Sequence, residues 1–181
     1  MLQPPSPFLL RPLQTADIPD VLAIEERSFP TARSQKLFLY ELTQNNLAHY
    51  QALTRLEPNG GETLLGYAGY WVLADEVHVS TIAVDPSLRR HGLGQLLLLN
   101  ILFLSYTHQA SLVTLEVRVT NTGAQELYKQ YRFLEVGLRK GYYHDTGEDA
   151  ILMTVMLQDA PDYKSFLEQK RDNLFRHFKA P

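Results

Sequence analysis

Residues 77–119 constrain the fold of this chain more than any other stretch. A strand at 77–84 alternates Val77, Val79 and Thr81 with His78, Ser80 and Ile82, then runs into a glycine-bearing loop at 85–94. The loop opens a helix of about fifteen residues that ends near Gln109, and a second strand follows at 111–119. That order calls for a sheet with a helix laid across it. The helix holds the most apolar run of the sequence, residues 96–104. Asn100 interrupts the run, which falls far short of the ~20 residues needed to span a bilayer.

The flanking sequence extends this unit on both sides. Residues 1–7 are proline-rich and read as a flexible arm; they lack the basic start and apolar stretch of a signal peptide, so a cytoplasmic protein is expected. A strand follows at 8–13. Thr15 is a plausible cap for a helix reaching about Phe29, with Ile18, Val21, Leu22 and Ile24 on an apolar face and Glu25 and Glu26 on an acidic one. Pro30 stops it, and a second helix is expected at 34–44. Strands at 49–56, 63–74 and 77–84 form an antiparallel meander whose first reversal is Asn59-Gly60-Gly61. A helix at 121–131 and strands at 133–142 and 150–157 come later. Beyond Pro161, Tyr163, Phe166, Leu167, Leu174, Phe175 and Phe178 have helical spacing opposite a basic face. The expected class is α/β (α+β): a mixed, mostly antiparallel sheet flanked by helices. Residues 1–7 form the arm, 8–160 one domain, and 161–181 an extra amphipathic C-terminal helix, expected to dock on its own domain.

The sequence has 181 residues, about one domain, and no cysteine. Thiol nucleophiles, thiolate metal sites and disulfides are therefore excluded. Six histidines lie scattered without metal-ligand spacing, so no metal site is expected. A net charge of −3 gives no overall drive toward DNA or an anionic membrane. Oligomeric state is not legible in the sequence.

The loop Arg89-Arg90-His91-Gly92-Leu93-Gly94 has the chemistry of an anion cradle. Small residues let the backbone come close, and unpaired N–H groups at the helix start point toward the ligand. A plain glycine turn with solvated arginines is the competing reading. The spacing matches neither a dinucleotide fingerprint nor a nucleoside-triphosphate loop.

The stretch Ile82-Ala83-Val84-Asp85-Pro86, then Arg89-x-x-Gly92-x-Gly94, resembles the acetyl-CoA motif of GNAT acetyltransferases. Leu115-Glu116-Val117-Arg118, Asn121, Leu127-Tyr128 and Gly141-Tyr142-Tyr143 are similar to the ribosomal-protein-alanine N-acetyltransferase branch. The resemblance implies acetyl-CoA as cosubstrate, and a protein N-terminal amine as acceptor: the N-terminal alanine of a small-subunit ribosomal protein. It further implies that the backbone of Ile82, Ala83 and Val84 pairs with the pantetheine arm. The loop Arg90, His91, Gly92, Leu93, Gly94 and Gln95 would hold the diphosphate, and Asn121 would contact the cofactor. Arg89 fills the Gln/Arg position of the motif. Glu116 and Tyr128 would be the catalytic base and acid.

The residues themselves leave other readings open. Glu116 could be half of a Glu116–Arg118 pair on a wet strand face, and Tyr128 a helix tyrosine packed near Tyr131 and Phe133. An α-amine titrates near 7.7–8.0 and a lysine near 10.4, which favours N-termini for a single carboxylate base. Acetylation of a lysine or small amine, and a non-catalytic acyl-CoA-binding module, are the alternatives. Arg132 stands where the family has glycine before Phe133, so a rebuilt helix exit is expected. The segment Phe29-Pro30-Thr31-Ala32-Arg33-Ser34 lacks the family's tryptophan at the border of the acceptor groove. The basic tail could also touch ribosomal RNA or a partner protein. Tyr142 and Tyr143 are candidates to line the groove, and residues 144–149 read as a solvated acidic turn.

Overall fold

The computed structural model describes residues 1–158 and 162–179. Among these, seven strands form one sheet: β1 (Phe8–Pro12), β2 (Ala48–Leu56), β3 (Glu62–Leu73), β4 (Glu76–Val84), β5 (Leu112–Arg118), β6 (Leu134–Tyr143) and β7 (Glu148–Met156). Their spatial order is β1-β2-β3-β4-β5-β7-β6. Short reversals make β2–β3, β3–β4 and β6–β7 antiparallel, β1–β2 and β5–β7 are antiparallel across longer connections, and β4 and β5 are parallel, with a helix carrying the chain between them. The helices are α1 (Ile18–Ser28), α2 (Gln35–Thr43), α3 (Leu93–Thr107), α4 (Thr122–Gln130) and α5 (Tyr163–Lys179). The mixed, mostly antiparallel class expected from the sequence is the one observed.

The sheet is covered on both faces. α1 and α2 bury Ile18, Val21, Ile24 and Phe38 against Tyr50, Ala52 and Tyr67. The opposite face carries α3, whose Leu96, Leu97, Leu98 and Leu99 are all fully buried. A helix apolar all round must be covered all round; the sheet covers one side of α3 and α5 packs on it from outside. Leu167 and Leu174 of α5 are buried, and the Tyr163 hydroxyl donates to the Tyr131 carbonyl at 2.7 Å. The tail therefore docks on its own domain. The expected boundary at 160/161, with Pro161, lies outside the described residues.

Four local readings change. Residues 1–7 lie against the domain: the Leu2 N–H donates to Asn100 Oδ1 at 2.7 Å, and the Leu56 N–H to the Pro7 carbonyl at 2.8 Å. Thr15 does not cap α1 but starts a 3-10 turn, Thr15–Asp17, and Asp17 becomes the cap position. Arg11 holds the Asp17 carboxylate through two bonds of 2.7 and 2.9 Å. Glu25 leaves the acidic face entirely; it is buried and accepts from the Tyr67 hydroxyl and the Arg33 N–H. Finally, the exit from α4 is not rebuilt. Arg132 takes the left-handed conformation itself (φ 62°), and the N–H groups of Arg132 and Phe133 close onto the carbonyls of Lys129 and Tyr128. Its guanidinium lies 4.2 Å over Phe166 of α5 and pairs with Asp162, just before that helix, at 2.9 Å.

Candidate active site

The site begins where two strands part. Parallel pairing of β4 with β5 runs from Glu76↔Leu112 to Val79↔Leu115 and stops, although β4 continues to Val84 and β5 to Arg118. On its other side β4 stays bonded to β3 as far as Val84↔Gly66. The cause is a bulge: Gly69 faces Thr81 and Tyr70 faces Val79, so Ser80 has no partner residue on β3. Released from the ladder, the Ser80 carbonyl accepts from Arg33 Nη2 at 2.7 Å. Ile82, Ala83 and Val84 thus border a cleft, with no β5 partner.

The glycine loop closes the end of this cleft. Asp85 accepts from the Ser87 N–H and pairs with Arg27, which anchors the loop's first turn. Arg90 (φ 69°) and Gly92 (φ 82°) are both left-handed, so the chain doubles back immediately before α3. Gly92 is the N-cap of α3, and no side chain caps the helix. Among the described residues, none accepts from the backbone N–H groups of residues 90–95. A Cβ on Gly94 would meet Leu127 Cδ2 at 3.7 Å and Val84 Cγ2 at 4.0 Å, ordinary van der Waals contact, so the head of α3 packs closely against α4 and β4. Arg89 Nε reaches back to the Val84 carbonyl at 3.4 Å, and His91 Nδ1 lies 3.3 Å from the Leu88 carbonyl. Leu93 is buried, while Gln95 accepts from the Tyr131 hydroxyl. Asn121 caps α4 by accepting from the Ala124 N–H.

Glu116 projects from β5 beside the cleft, with a side chain only 5% exposed. Its partner is not Arg118. His78 Nε2 of β4 lies 3.0 Å from Oε2, and Arg139 Nη1 of β6 lies 3.1 Å from Oε1. The Arg139 approach lacks hydrogen-bond alignment, so Oε1 is buried without a hydrogen-bond partner among the described residues. Burial raises the carboxyl's pKa, but His78 and then Arg139 more than offset it, and the net shift is downward. Glu116 is therefore ionised at neutral pH. Trp71 stacks on His78 (5.6 Å, 18°) and is tied by its indole N–H to buried Glu41, which fixes the imidazole from behind. Arg118 instead grips Asp145 and Glu148, so the acidic turn is fastened rather than freely solvated.

Tyr128, on α4, packs against Phe133 (5.7 Å) and is 8% exposed. Burial pushes its phenol well above the usual range, and so does the neighbouring Tyr143. Its hydroxyl bonds to no described residue. Tyr143 donates to the Glu116 carbonyl at 3.3 Å, and Tyr142 stands at a right angle to Tyr143. Sequence reasoning missed His78, Arg139, Arg33 and Glu41. The sequence did carry one overlooked signal: Glu25 follows Ile18 by seven residues and Val21 by four, on the apolar face.

The described residues thus form a mixed sheet split beside a glycine-capped helix, with an ionised carboxylate at the split and a buried phenol on α4. Residues 18–133 match the model of the acetyltransferase (GNAT) family. A Bacillus subtilis protein provisionally named ribosomal protein bS18-alanine N-acetyltransferase is 37% identical over 150 residues, 83% of this chain and 96% of its own. The Escherichia coli K12 ribosomal protein bS18-alanine N-acetyltransferase is 33% identical over 145 residues, 79% and 93% of the two chains. The crystal structure of the E. coli ribosomal-protein-S18-alanine N-acetyltransferase has a TM-score of 0.71 at 31% identity, covering 82% of this chain and 93% of that one. The chain belongs to the GNAT acetyltransferase family. It is an acetyltransferase, with acetyl-CoA as its cosubstrate. Among the described residues no His, Asp or Glu cluster could hold a metal ion, and no helix is long and apolar enough to cross a membrane.

Proposed function

We propose that this enzyme acetylates the N-terminal α-amine of a protein in the cytoplasm, and that its acceptor is the N-terminal alanine of a small-subunit ribosomal protein. The named relatives support the acceptor. The loop's unbonded N–H groups support seating the coenzyme diphosphate at Arg89, Arg90, His91, Gly92, Leu93, Gly94 and Gln95. The unpaired edge of Ile82, Ala83 and Val84 would bond the pantetheine arm, and Asn121 would contact the coenzyme from the head of α4. Bound acetyl-CoA supplies the activated thioester carbonyl. Glu116 takes the proton that the attacking amine sheds, directly or through water. Tyr128, kept protonated by burial, returns a proton to the departing sulfur. Transfer is direct within a ternary complex, since the chain has no cysteine to carry the acetyl group.

The observation that carries this reading is the ionised, nearly buried Glu116 at the mouth of the parted strands. Glu116→Gln and Tyr128→Phe are each expected to lower kcat by about 10²–10⁴ while leaving coenzyme A affinity near that of the wild type. The test is intact-mass analysis with an alanine-starting ribosomal peptide beside an N-blocked lysine peptide. Full turnover in both variants would remove the acid–base assignment, and preference for the lysine peptide would remove the acceptor.

A further inference from the structure

The helix α5 lies outside the stretch that matches the family, residues 18–133, yet its last two turns rest on the coenzyme loop. A Cβ built on Gly92 would lie 2.8 Å from Leu174 Cδ1 and 3.3 Å from Phe178 Cε1. These two side chains therefore sit directly on the backbone of the residue that caps α3. Phe178 is wedged from the other side by Phe8 of β1, with ring centroids 4.8 Å apart. Further back, α5 is fixed by fully buried Leu167 and by the bond from Tyr163 to Tyr131.

The loop needs outside support for two reasons. Arg90 occupies the left-handed region without being glycine, a conformation that the chain leaves unless packing holds it. The N–H groups of residues 90–95 also have no protein acceptor among the described residues, so no internal backbone bond from them holds the loop's shape. From these contacts we infer that α5 is part of the coenzyme site, with Leu174 and Phe178 acting as positioning residues that hold the diphosphate loop in its binding shape. This rests on the reading of residues 89–95 as the diphosphate seat. If only a fraction of molecules holds the competent loop, apparent affinity falls by that fraction while the chemistry at Glu116 is untouched.

The test measures acetyl-CoA kinetics, coenzyme A calorimetry and thermal melting for Leu174→Ala, Phe178→Ala and the double variant. Val113→Ala serves as the control, since it weakens the core at the paired end of β5 rather than through α5. The double variant is expected to raise KM for acetyl-CoA and Kd for coenzyme A about tenfold, with kcat within twofold of the wild type. Val113→Ala is expected to lower Tm comparably and leave Kd within twofold. If the double variant does not fold, Phe178→Ala alone, on the half-buried last turn, should still raise Kd severalfold. Unchanged Kd in the Leu174 and Phe178 variants overturns the proposal, as does an equal rise in Val113→Ala. A wild-type protein that takes up no coenzyme A would overturn the seat itself and the role of α5 with it.

Discussion

Glu116 illustrates how much a single residue's neighbours decide. A carboxylate in a mostly apolar strand and a tyrosine twelve residues on, matching a family pattern, were legible in the sequence. The partners were not. Strand alternation points to Arg118, but the identity of the residue facing Glu116 depends on which strand lies beside β5 and in what register. That strand is β4, and its contribution is His78. Because His78 and Arg139 hold the carboxyl below the ordinary value of 4.5, the charged form persists above that value and is lost only as pH falls through the lowered one. With His78→Leu, burial acts against Arg139 alone. The acid limb of kcat/KM is then expected to move to higher pH, and a limb that stays in place would exclude His78 as the group that holds Glu116 ionised.

The elements were the most readable level, since alternation, proline and glycine bound them to within a residue or two. The exceptions have local causes. The bulge at Ser80, which parts β4 from β5, leaves no mark in a sequence that alternates smoothly through it. Thr15 offered a capping hydroxyl, yet the Arg11–Asp17 pair drew the cap to Asp17. Asp17→Asn is expected to cost about 1 kcal/mol of stability at pH 7, measured by urea unfolding. The Arg11 bond depresses the Asp17 pKa, so the pair stabilises the fold above 3.8, the ordinary value, and stops doing so as pH falls through the lowered value. The two proteins should converge in acid, and a gap that persists there would place the effect elsewhere. Arg132 is the converse case: the sequence flagged the position, but not its left-handed backbone or the ring of α5 lying under its guanidinium.

At the scale of the molecule, the mixed sheet with helices on both faces was readable, whereas the order β5-β7-β6 was not, because a strand's final neighbour is settled by how the chain returns. The sheet is unfinished at its centre, and coenzyme should complete it. At a hundred times its Kd, coenzyme A is expected to add ~2.7 kcal/mol, or about 5–10 °C in Tm. An unmoved Tm would show that coenzyme A does not bind the folded protein selectively. The seam between β4 and β5 also bears on turnover. The proposed grip on the carrier, a backbone edge and the loop's amides, is blind to whether its sulfur still bears an acyl group. Spent carrier should hold its place about as firmly as fresh carrier, making the enzyme responsive to the cell's ratio of charged to discharged thiol rather than to the charged form alone.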